Sequence, residues 1–225
     1  MSEPEEVIDD AIRDDVIGIL GGTGPQGTGL ARRFATAGMS VVIGSRKAAR
    51  AELVAAQIGL GVRGVDNRSC AKQTDIVIVA VPWSGHAELL TELRAELAGK
   101  LVIDCVNNIG FDKQGPYAPR VEEGSAAQQA AILLPDSTVT AAFHHVSAVH
   151  LNDPERTSFA LDVMVLGDDR AATDRVCALA GAIPGMRGIY SGRLRNAGQV
   201  EALAANLIAI NRRYKAHASV RISDV

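Results

Sequence analysis

The sequence lacks the features that mark secreted, zinc-bridged and membrane-embedded proteins. Its three cysteines, Cys70, Cys105 and Cys177, are far apart and form no C-x-x-C pair, which suits neither a disulfide framework nor a zinc site. No apolar run approaches the roughly 20 residues that a membrane helix needs. The first residues, MSEPEEVIDDAIRDD, are acidic, the opposite of a secretory or targeting segment. These absences predict a cytoplasmic protein without membrane contact.

A tract of clustered basic residues is also missing, so no nucleic-acid partner is expected. The formal net charge is −3, and the first 15 residues hold seven acids against Arg13, a sum of −6, so the remaining body must carry +3. A mildly cationic body favours anionic small ligands. We expect residues 1–14 to form an acidic, disordered N-terminal extension.

Short β-branched runs alternate with helical stretches from residue 16 onward. This alternation predicts an α/β fold of the Rossmann type, with a doubly wound, mostly parallel sheet. The pattern changes after about residue 155, so we expect a dinucleotide-binding domain over 15–155 and a small C-terminal α/β lobe over 156–225. The expected strands are 16–20, 41–43, 62–65, 75–81, 101–106, 138–143, 159–167 and 188–192, and the expected helices are 27–37, 47–57, 84–97, 169–181 and 195–217.

A glycine-rich loop follows the first strand. VIGILGGTGPQG places Gly22, Gly24 and Gly27 in the pattern G-x-G-x-x-G between a strand and a helix, which is the context of a dinucleotide fingerprint. The first glycine allows a tight turn, the second admits the pyrophosphate, and the third packs the helix on the strand. The loop, completed by Thr23, Pro25 and Gln26, therefore predicts a dinucleotide whose phosphates meet the free N–H groups of the helix start.

The end of the second strand indicates which dinucleotide binds. NAD-specific folds usually carry an acidic residue there, whereas this sequence reads VVIGSRKAAR. A guanidinium suits a 2′-phosphate because it forms two parallel charge-assisted hydrogen bonds. NADP is therefore the expected cofactor, and the candidate residues at this end are Ser45, Arg46, Lys47 and Arg50, with Thr23 facing the same region.

Three later segments should reach the same edge of the sheet, because ligands of such sheets bind outside the carboxyl ends of the strands. Trp83 and His86 are equally explained as a core anchor and a satisfied helix-start residue. Adjacent histidines on a strand point to opposite faces, so His144 and His145 do not predict a metal site. The candidates are Pro82, Trp83 and His86 in AVPWSGH, Asn107 and Asn108 in DCVNNIG, and His144, His145 and His150 in AAFHHVSAVH.

None of these side chains is a convincing general acid or base. No tyrosine is followed by a lysine four residues on, so the Y-x-x-x-K pair of short-chain dehydrogenases is absent. Transfer between two redox cofactors depends on proximity and orientation more than on proton transfer. We therefore expect no catalytic side chain, and hydride transfer by positioning alone.

Four segments together resemble one family, the F420-dependent NADP reductases. They occur in order from about Asp15 to Ile210, and as a set they are much more specific than the glycine motif alone. The segments are GGTGPQGTGLARRFATAGMSVVIGSR, AVPWSGH, AAFHHVSA and SGRLRNAGQVEALAANLIAIN.

The resemblance implies hydride exchange between C5 of the deazaflavin coenzyme F420 and C4 of the nicotinamide, with the two rings stacked. It also implies that Thr23, Ser45 and Arg46 hold the 2′-phosphate. The loop of Val81, Pro82 and Trp83 would border the rings, and His144 and the backbone near Val146 would contact the deazaflavin. Members are typically homodimers. The phosphate and glutamylated tail of F420 need a cationic path. The candidates, as a group, are Arg193, Arg195, Arg212, Arg213 and Lys215.

Two alternatives stay open at this level. One is an NADP-dependent reductase of another small substrate, of the imine or pyrroline-carboxylate type, although some 70 C-terminal residues are few for the helical domain of those enzymes. The other is a non-catalytic protein that senses NADP(H), since a fold alone does not specify a function.

Overall fold

The computed structural model describes residue 10 and residues 12–225, so most of the predicted acidic extension lies outside the described residues. Ile12 is only 1% exposed and belongs to the hydrophobic core. Asp15 forms an ion pair of 2.7 Å with Arg175 of a distant helix. The packed body therefore already includes residue 12, ahead of the expected start at residue 15.

The fold alternates strands and helices along the chain. The strands are β1 (Val16–Leu20), β2 (Ser40–Ser45), β3 (Arg63–Asp66), β4 (Ile76–Val79), β5 (Leu101–Asp104), β6 (Gly110–Asp112), β7 (Gly115–Tyr117), β8 (Thr138–Ala141), β9 (Leu161–Gly167) and β10 (Met186–Tyr190). The helices are α1 (Pro25–Thr36), α2 (Ala48–Ile58), α3 (Asn67–Lys72), α4 (His86–Glu92), α5 (Arg94–Leu97), α6 (Ala126–Leu133), α7 (Ala148–Asn152), α8 (Arg170–Gly181) and α9 (Ala197–Tyr214).

Eight of the strands form one sheet in the order β10-β9-β8-β5-β4-β1-β2-β3. Every pairing is parallel except that of β8 with β9. Along β4, Ile76 and Ile78 enter one hydrophobic cluster, whereas Val77 and Val79 enter another on the opposite face. A strand buried on both faces explains this uninterrupted apolar run. The predicted doubly wound, mostly parallel α/β fold is confirmed.

The strand order reverses beside β1, and this reversal places the site. The chain moves from β1 to β2 and β3 on one side, then crosses back to β4 and β5 on the other. The crevice at such a switch point, outside the carboxyl ends of the strands, is where open α/β sheets bind ligands. The loops after β1, β2, β4, β5 and β8 all end at this edge.

The residues beyond 155 continue the same sheet. Strand β9 pairs with β8, β10 pairs with β9, and helix α9 packs against α6 and the short β6–β7 hairpin. The segment has the expected α/β character, and the domain boundary at residue 155 stays a prediction. Among the described residues, no helix is both long and apolar enough to cross a membrane.

Several predicted boundaries are wrong. The strand expected over 138–143 ends at Ala141, because Phe143 has a φ of +64°, which no strand residue adopts. The helix expected over 84–97 begins as a 3-10 turn at Trp83 and is interrupted at Leu93. The hairpin of β6 and β7 and the helices α3, α6 and α7 had no counterpart in the sequence pattern.

Candidate cofactor site

The three glycines of the motif differ in the space around them. A Cβ at Gly22 would lie 2.6 Å from Cβ of Ile43 on β2, and a Cβ at Gly27 would lie 2.6 Å from Cα of Gly22. Both positions therefore have no room for a side chain. At Gly24 the nearest atom is the Gly21 carbonyl oxygen at 3.5 Å, so the backbone there is open to a ligand.

Gly21 also shapes this loop, although the motif did not include it. Its φ is +71°, and a Cβ there would lie 2.6 Å from Cγ1 of Val81 and 2.7 Å from the Ala80 carbonyl oxygen. Its N–H donates to Oδ1 of Asn67 at 3.4 Å. The doubled glycine in LGGTG was the available signal. Gly21 thus lets the glycine loop approach the segment that follows β4.

Helix α1 presents an uncapped N-terminus to the crevice. It begins at Pro25 after Gly24, and no side chain caps it. The first N–H groups of a helix have no intrahelical partner, and together with the helix dipole they attract a phosphate. Gln26 is directed elsewhere, since its Nε2 donates to the Phe143 carbonyl at 3.2 Å. It therefore joins the glycine loop to the segment after β8 rather than facing a cofactor.

The end of β2 carries unpaired positive charge. Arg46, Lys47 and Arg50 are exposed, and none of the ion pairs in the described part of the chain includes them. Ser45 is buried, and its Oγ accepts from the Lys47 N–H at 3.5 Å. Thr23 and Arg50 line one groove with α7, of about 730 Å³. The arrangement suits a phosphate-bearing ribose.

Asp66, the acidic residue opposite Ser45, already forms hydrogen bonds within the protein. Asp66 pairs with Ser45 across β2 and β3, but its carboxylate accepts from the N–H of Ser69 at 2.9 Å and from the Ser69 hydroxyl at 2.7 Å. These hydrogen bonds, the hydroxyl first, hold the pKa of Asp66 below its usual value. Asp66 thus caps α3, so it does not take the place of the ribose-binding acid of an NAD site.

The segment after β8 buries two neutral histidines. No well-formed hydrogen bond reaches either ring nitrogen of His144 in the described structure. Burial lowers the pKa of His144 to about 4, and the charge of Asp104 and the nearby backbone of Cys105 and Val106 oppose this shift. Nε2 of His145 accepts from the Met164 N–H at 3.2 Å, and burial, aided by His144, lowers its pKa to about 4. The two residues lie in a turn rather than on a strand. Both imidazoles are therefore uncharged at neutral pH.

Asn107 fixes this segment from β5. Its Nδ2 donates to the His144 carbonyl at 2.8 Å, while its buried Oδ1 has no partner in the described structure. Unpaired buried polar atoms are costly and are usually satisfied by a ligand or water. Asn107 and His144 carry three such atoms, so this segment has unused hydrogen-bonding capacity for a ligand. Val146 is buried, and its N–H already donates to the Phe143 carbonyl at 3.3 Å.

Helix α7 is fastened to the cofactor helix α1. The buried guanidinium of Arg33 donates to the carbonyls of Leu151 at 2.8 Å and of Arg156 at 2.7 Å, and also to those of His150 and Asp153. These bonds join the last turn of α1 to the C-terminal end of α7 and the residues that follow it.

The loop after β4 carries partly exposed residues at 81–83 and a completely buried histidine at 86. Val81 and Trp83 are half-buried and Pro82 is exposed, in the loop that follows the carboxyl end of β4. His86 is completely buried, with its Nε2 2.6 Å from Oδ2 of Asp104 and its Nδ1 2.8 Å from Oε1 of Gln129. The prediction that His86 contacts a cofactor is corrected on this ground, because both of its ring nitrogens are occupied within the protein.

No group of three or more metal-ligating side chains occurs in the described part of the chain. The cysteines are free, and burial raises the pKa of Cys70 to about 12 and that of Cys177 to about 11. Their thiols therefore stay protonated.

These features define the class of the protein. A Rossmann sheet, an open glycine loop and unpaired cations at the end of β2 characterise a dinucleotide-binding protein with a site suited to NADP.

Comparison with known proteins specifies the family. Residues 16–108 match the family described as "NADP oxidoreductase coenzyme F420-dependent". The F420-dependent NADP reductase of Methanothermobacter thermautotrophicus is 34% identical over 221 residues, which cover 93% of this chain and 95% of that protein. The chain therefore belongs to the F420-dependent NADP reductases. The family and the fold predicted from the sequence are confirmed.

Solved structures of related proteins have the same fold. A crystal structure from Arthrobacter sp. FB24, provisionally named an F420-dependent NADP reductase, has a TM-score of 0.80 at 25% identity and covers 92% of this chain and 98% of that one. An imine reductase of Streptomyces aurantiacus has a TM-score of 0.61 at 19% identity, and this chain covers 62% of it. That second likeness shows a shared fold alone.

Proposed function

We propose that the protein transfers a hydride between NADP(H) and coenzyme F420, with the two cofactors brought together at the switch point of the sheet. Balanced, NADPH gives one hydride to oxidised F420, a proton is taken from solvent, and NADP⁺ and reduced F420 result. The observation that carries the proposal is the pairing of an open, cationic dinucleotide site with unpaired polar atoms on Asn107, two strands from β1, and on His144, three strands from β1.

The NADP half is formed by the loops after β1 and β2. The backbone of Gly22, Gly24 and Gly27 and the start of α1 receive the pyrophosphate, while Thr23, Ser45 and Arg46 hold the 2′-phosphate. The two further cations, Lys47 and Arg50, raise the local positive potential. This assignment rests on the exposure of the cations and on the engagement of Asp66 with α3.

The deazaflavin half is formed by the loops after β4, β5 and β8. Trp83 borders the stacked rings, and Asn107 and His144 contact the deazaflavin edge. Because His144 is neutral at pH 7, it acts through hydrogen bonding rather than as a charged acid. These residues supply orientation, the main requirement when one redox cofactor reduces another.

Two broader proposals accompany this one. The protein acts in the cytoplasm, in keeping with its free cysteines and its lack, in the described residues, of a membrane-spanning helix. It works as a homodimer, for which the exposed Tyr214 and Ile210 near the end of α9 offer apolar surface. Analytical ultracentrifugation across a concentration series measures this state, and a monomer at all concentrations refutes it.

The function is tested by mixing the protein with NADPH and oxidised F420 and following the visible absorbance and fluorescence of the deazaflavin. We expect these signals to disappear with NADPH and to persist with NADH. Binding of NADPH without any change in F420 would contradict the proposal and favour an NADP(H) sensor or a reductase of another substrate.

A further inference from the structure

A row of buried, hydrogen-bonded side chains ends at His86, which stacks on Trp83, the only tryptophan in the sequence. The imidazole of His86 stacks on the indole of Trp83, with ring centroids 5.5 Å apart and planes at 26°. Trp83 begins the 3-10 turn after Pro82 and is half-buried, so part of its side chain stays exposed to solvent. His86 has no exposed surface. One face of the partly exposed Trp83 indole therefore rests on the fully buried imidazole of His86.

The partners of His86 indicate that its ring is doubly protonated. Nε2 faces the carboxylate of Asp104 at 2.6 Å, whose other oxygen accepts from the Val106 N–H at 3.0 Å. Nδ1 faces Oε1 of Gln129 at 2.8 Å, because the amide nitrogen of Gln129 donates to Glu123 at 3.0 Å. Both facing atoms are acceptors, so both ring nitrogens carry hydrogen.

Electrostatics support the same protonation state. Burial alone would lower the pKa of His86, but the hydrogen bond and charge of Asp104, with contributions from Gln129 and Glu201, raise it overall. An imidazolium within about 6 Å of an indole face gains cation–π attraction, which is strongest where water is excluded. The buried charge therefore binds the tryptophan ring more firmly than a neutral side chain would.

We propose that His86 is a positioning residue which, held by Asp104 and Gln129, fixes the plane of Trp83 at the mouth of the nicotinamide–deazaflavin site. The part of this proposal that concerns hydride transfer rests on the proposed function above. His86 does not touch either cofactor, and its effect on the reaction passes through Trp83.

The single tryptophan makes this contact measurable without any cofactor. His86→Gln retains a donor for Asp104 but removes both the ring and the charge, and imidazolium quenches indole emission. We expect the variant to show stronger tryptophan emission and lower fluorescence anisotropy than the wild type. His217→Gln, the same change at an exposed histidine, is the matched control and should leave both signals unchanged.

The kinetic arm separates positioning from general damage. Misplacing a group that orders the reactants slows the reaction, so His86→Gln should lower kcat by about tenfold. Binding of 2′,5′-ADP, which occupies only the adenosine half, should change by less than about twofold, since distant independent sites do not couple. In a Trp83→Ala background, His86→Gln should cost little further activity, because the residue through which it acts is gone.

Each outcome has a defined meaning. Unchanged emission and anisotropy in folded His86→Gln would overturn the proposal, and so would a full additional loss of kcat in the Trp83→Ala background. If His86→Gln does not fold by circular dichroism, Gln129→Met takes its place. This change removes the acceptor of Nδ1 together with the hydrogen bond from Gln129 to Glu123, and the same changes in emission and kcat are expected, but smaller. Absence of hydride transfer in the wild type would refute the proposed function alone, because the fluorescence comparison tests the stacked pair independently.

Discussion

At the scale of single residues, cofactor choice depends on Arg46 and Asp66, which lie at the ends of neighbouring strands. Arg46 is exposed and unpaired within the described residues, whereas the carboxylate of Asp66 is used by Ser69. The sequence already showed an arginine at the end of β2. The sequence did not show that the carboxylate of Asp66, opposite Ser45, already accepts hydrogen bonds within the protein. That follows because Asp66 both ends β3 and caps α3.

Arg46→Ala should therefore weaken NADPH far more than NADH. Loss of one charge-assisted hydrogen bond costs about 1.5–3 kcal/mol in binding, and NADH lacks the phosphate that forms it. Titration calorimetry with both nucleotides measures the difference, and Arg94→Ala, at an exposed arginine of α5, serves as the control. An equal loss for both nucleotides would mean that the 2′-phosphate binds elsewhere.

The glycines of the loop should separate stability from binding. A Cβ at Gly27 meets backbone at 2.6 Å, so Gly27→Ala should lower the free energy of unfolding by about 1–3 kcal/mol. At Gly24 there is room, so Gly24→Ala should keep its melting temperature while losing NADPH affinity where the pyrophosphate approaches. Denaturant titration and nucleotide binding test both. A stable Gly27→Ala, or a Gly24→Ala with normal affinity, would contradict the assigned functions.

At the scale of elements, α6 and α9 are joined by one buried carboxylate. Glu201 on α9 accepts from the N–H groups of Ala126 at 2.9 Å and Ala127 at 3.2 Å, the first turn of α6. Burial raises its pKa from 4.5 to about 7, with Asp104 adding to the rise and the two N–H donors opposing it. Glu201 was no candidate from the sequence, since glutamate on a helix is usually solvated.

The raised pKa of Glu201 makes stability depend on pH. The folded state binds a proton that the unfolded state has already released between pH 4.5 and about 7, so the free energy of unfolding should fall as pH rises through this window. Glu201→Gln should reduce that fall, whereas Glu88→Gln at an exposed site of α4 should not. Denaturant unfolding at successive pH values measures it, and identical profiles for Glu201→Gln and the wild type would refute the coupling.

At the scale of the whole molecule, one sheet carries both the cofactor loops and the C-terminal residues. Strand β9 borders β8, and its Leu161, Val163 and Val165 belong to the same hydrophobic cluster as Ile17 of β1. The predicted division at residue 155 therefore crosses a shared core.

A chain ending at residue 155 should consequently fail to fold. Truncation would expose the edge of β8 and remove the buried side chains of two strands, β9 and β10, and of helices α8 and α9. Exposed apolar edges promote aggregation. Expression of residues 1–155, followed by thermal unfolding and NADPH binding, tests this. A cooperative transition with nucleotide binding would instead establish 15–155 as an independent domain.

The sequence by itself determined the α/β alternation, the glycine loop and the cations after β2, because each depends on neighbours a few residues apart. Local spacing also placed Asn107 and His144 at strand ends. Only the tertiary structure decided that Gln26 anchors Phe143, that His86 is sealed between Asp104 and Gln129, and that Glu201 caps α6. Those assignments arise from contacts between residues far apart in the chain, whose burial and partners exist only once the sheet has brought its loops together.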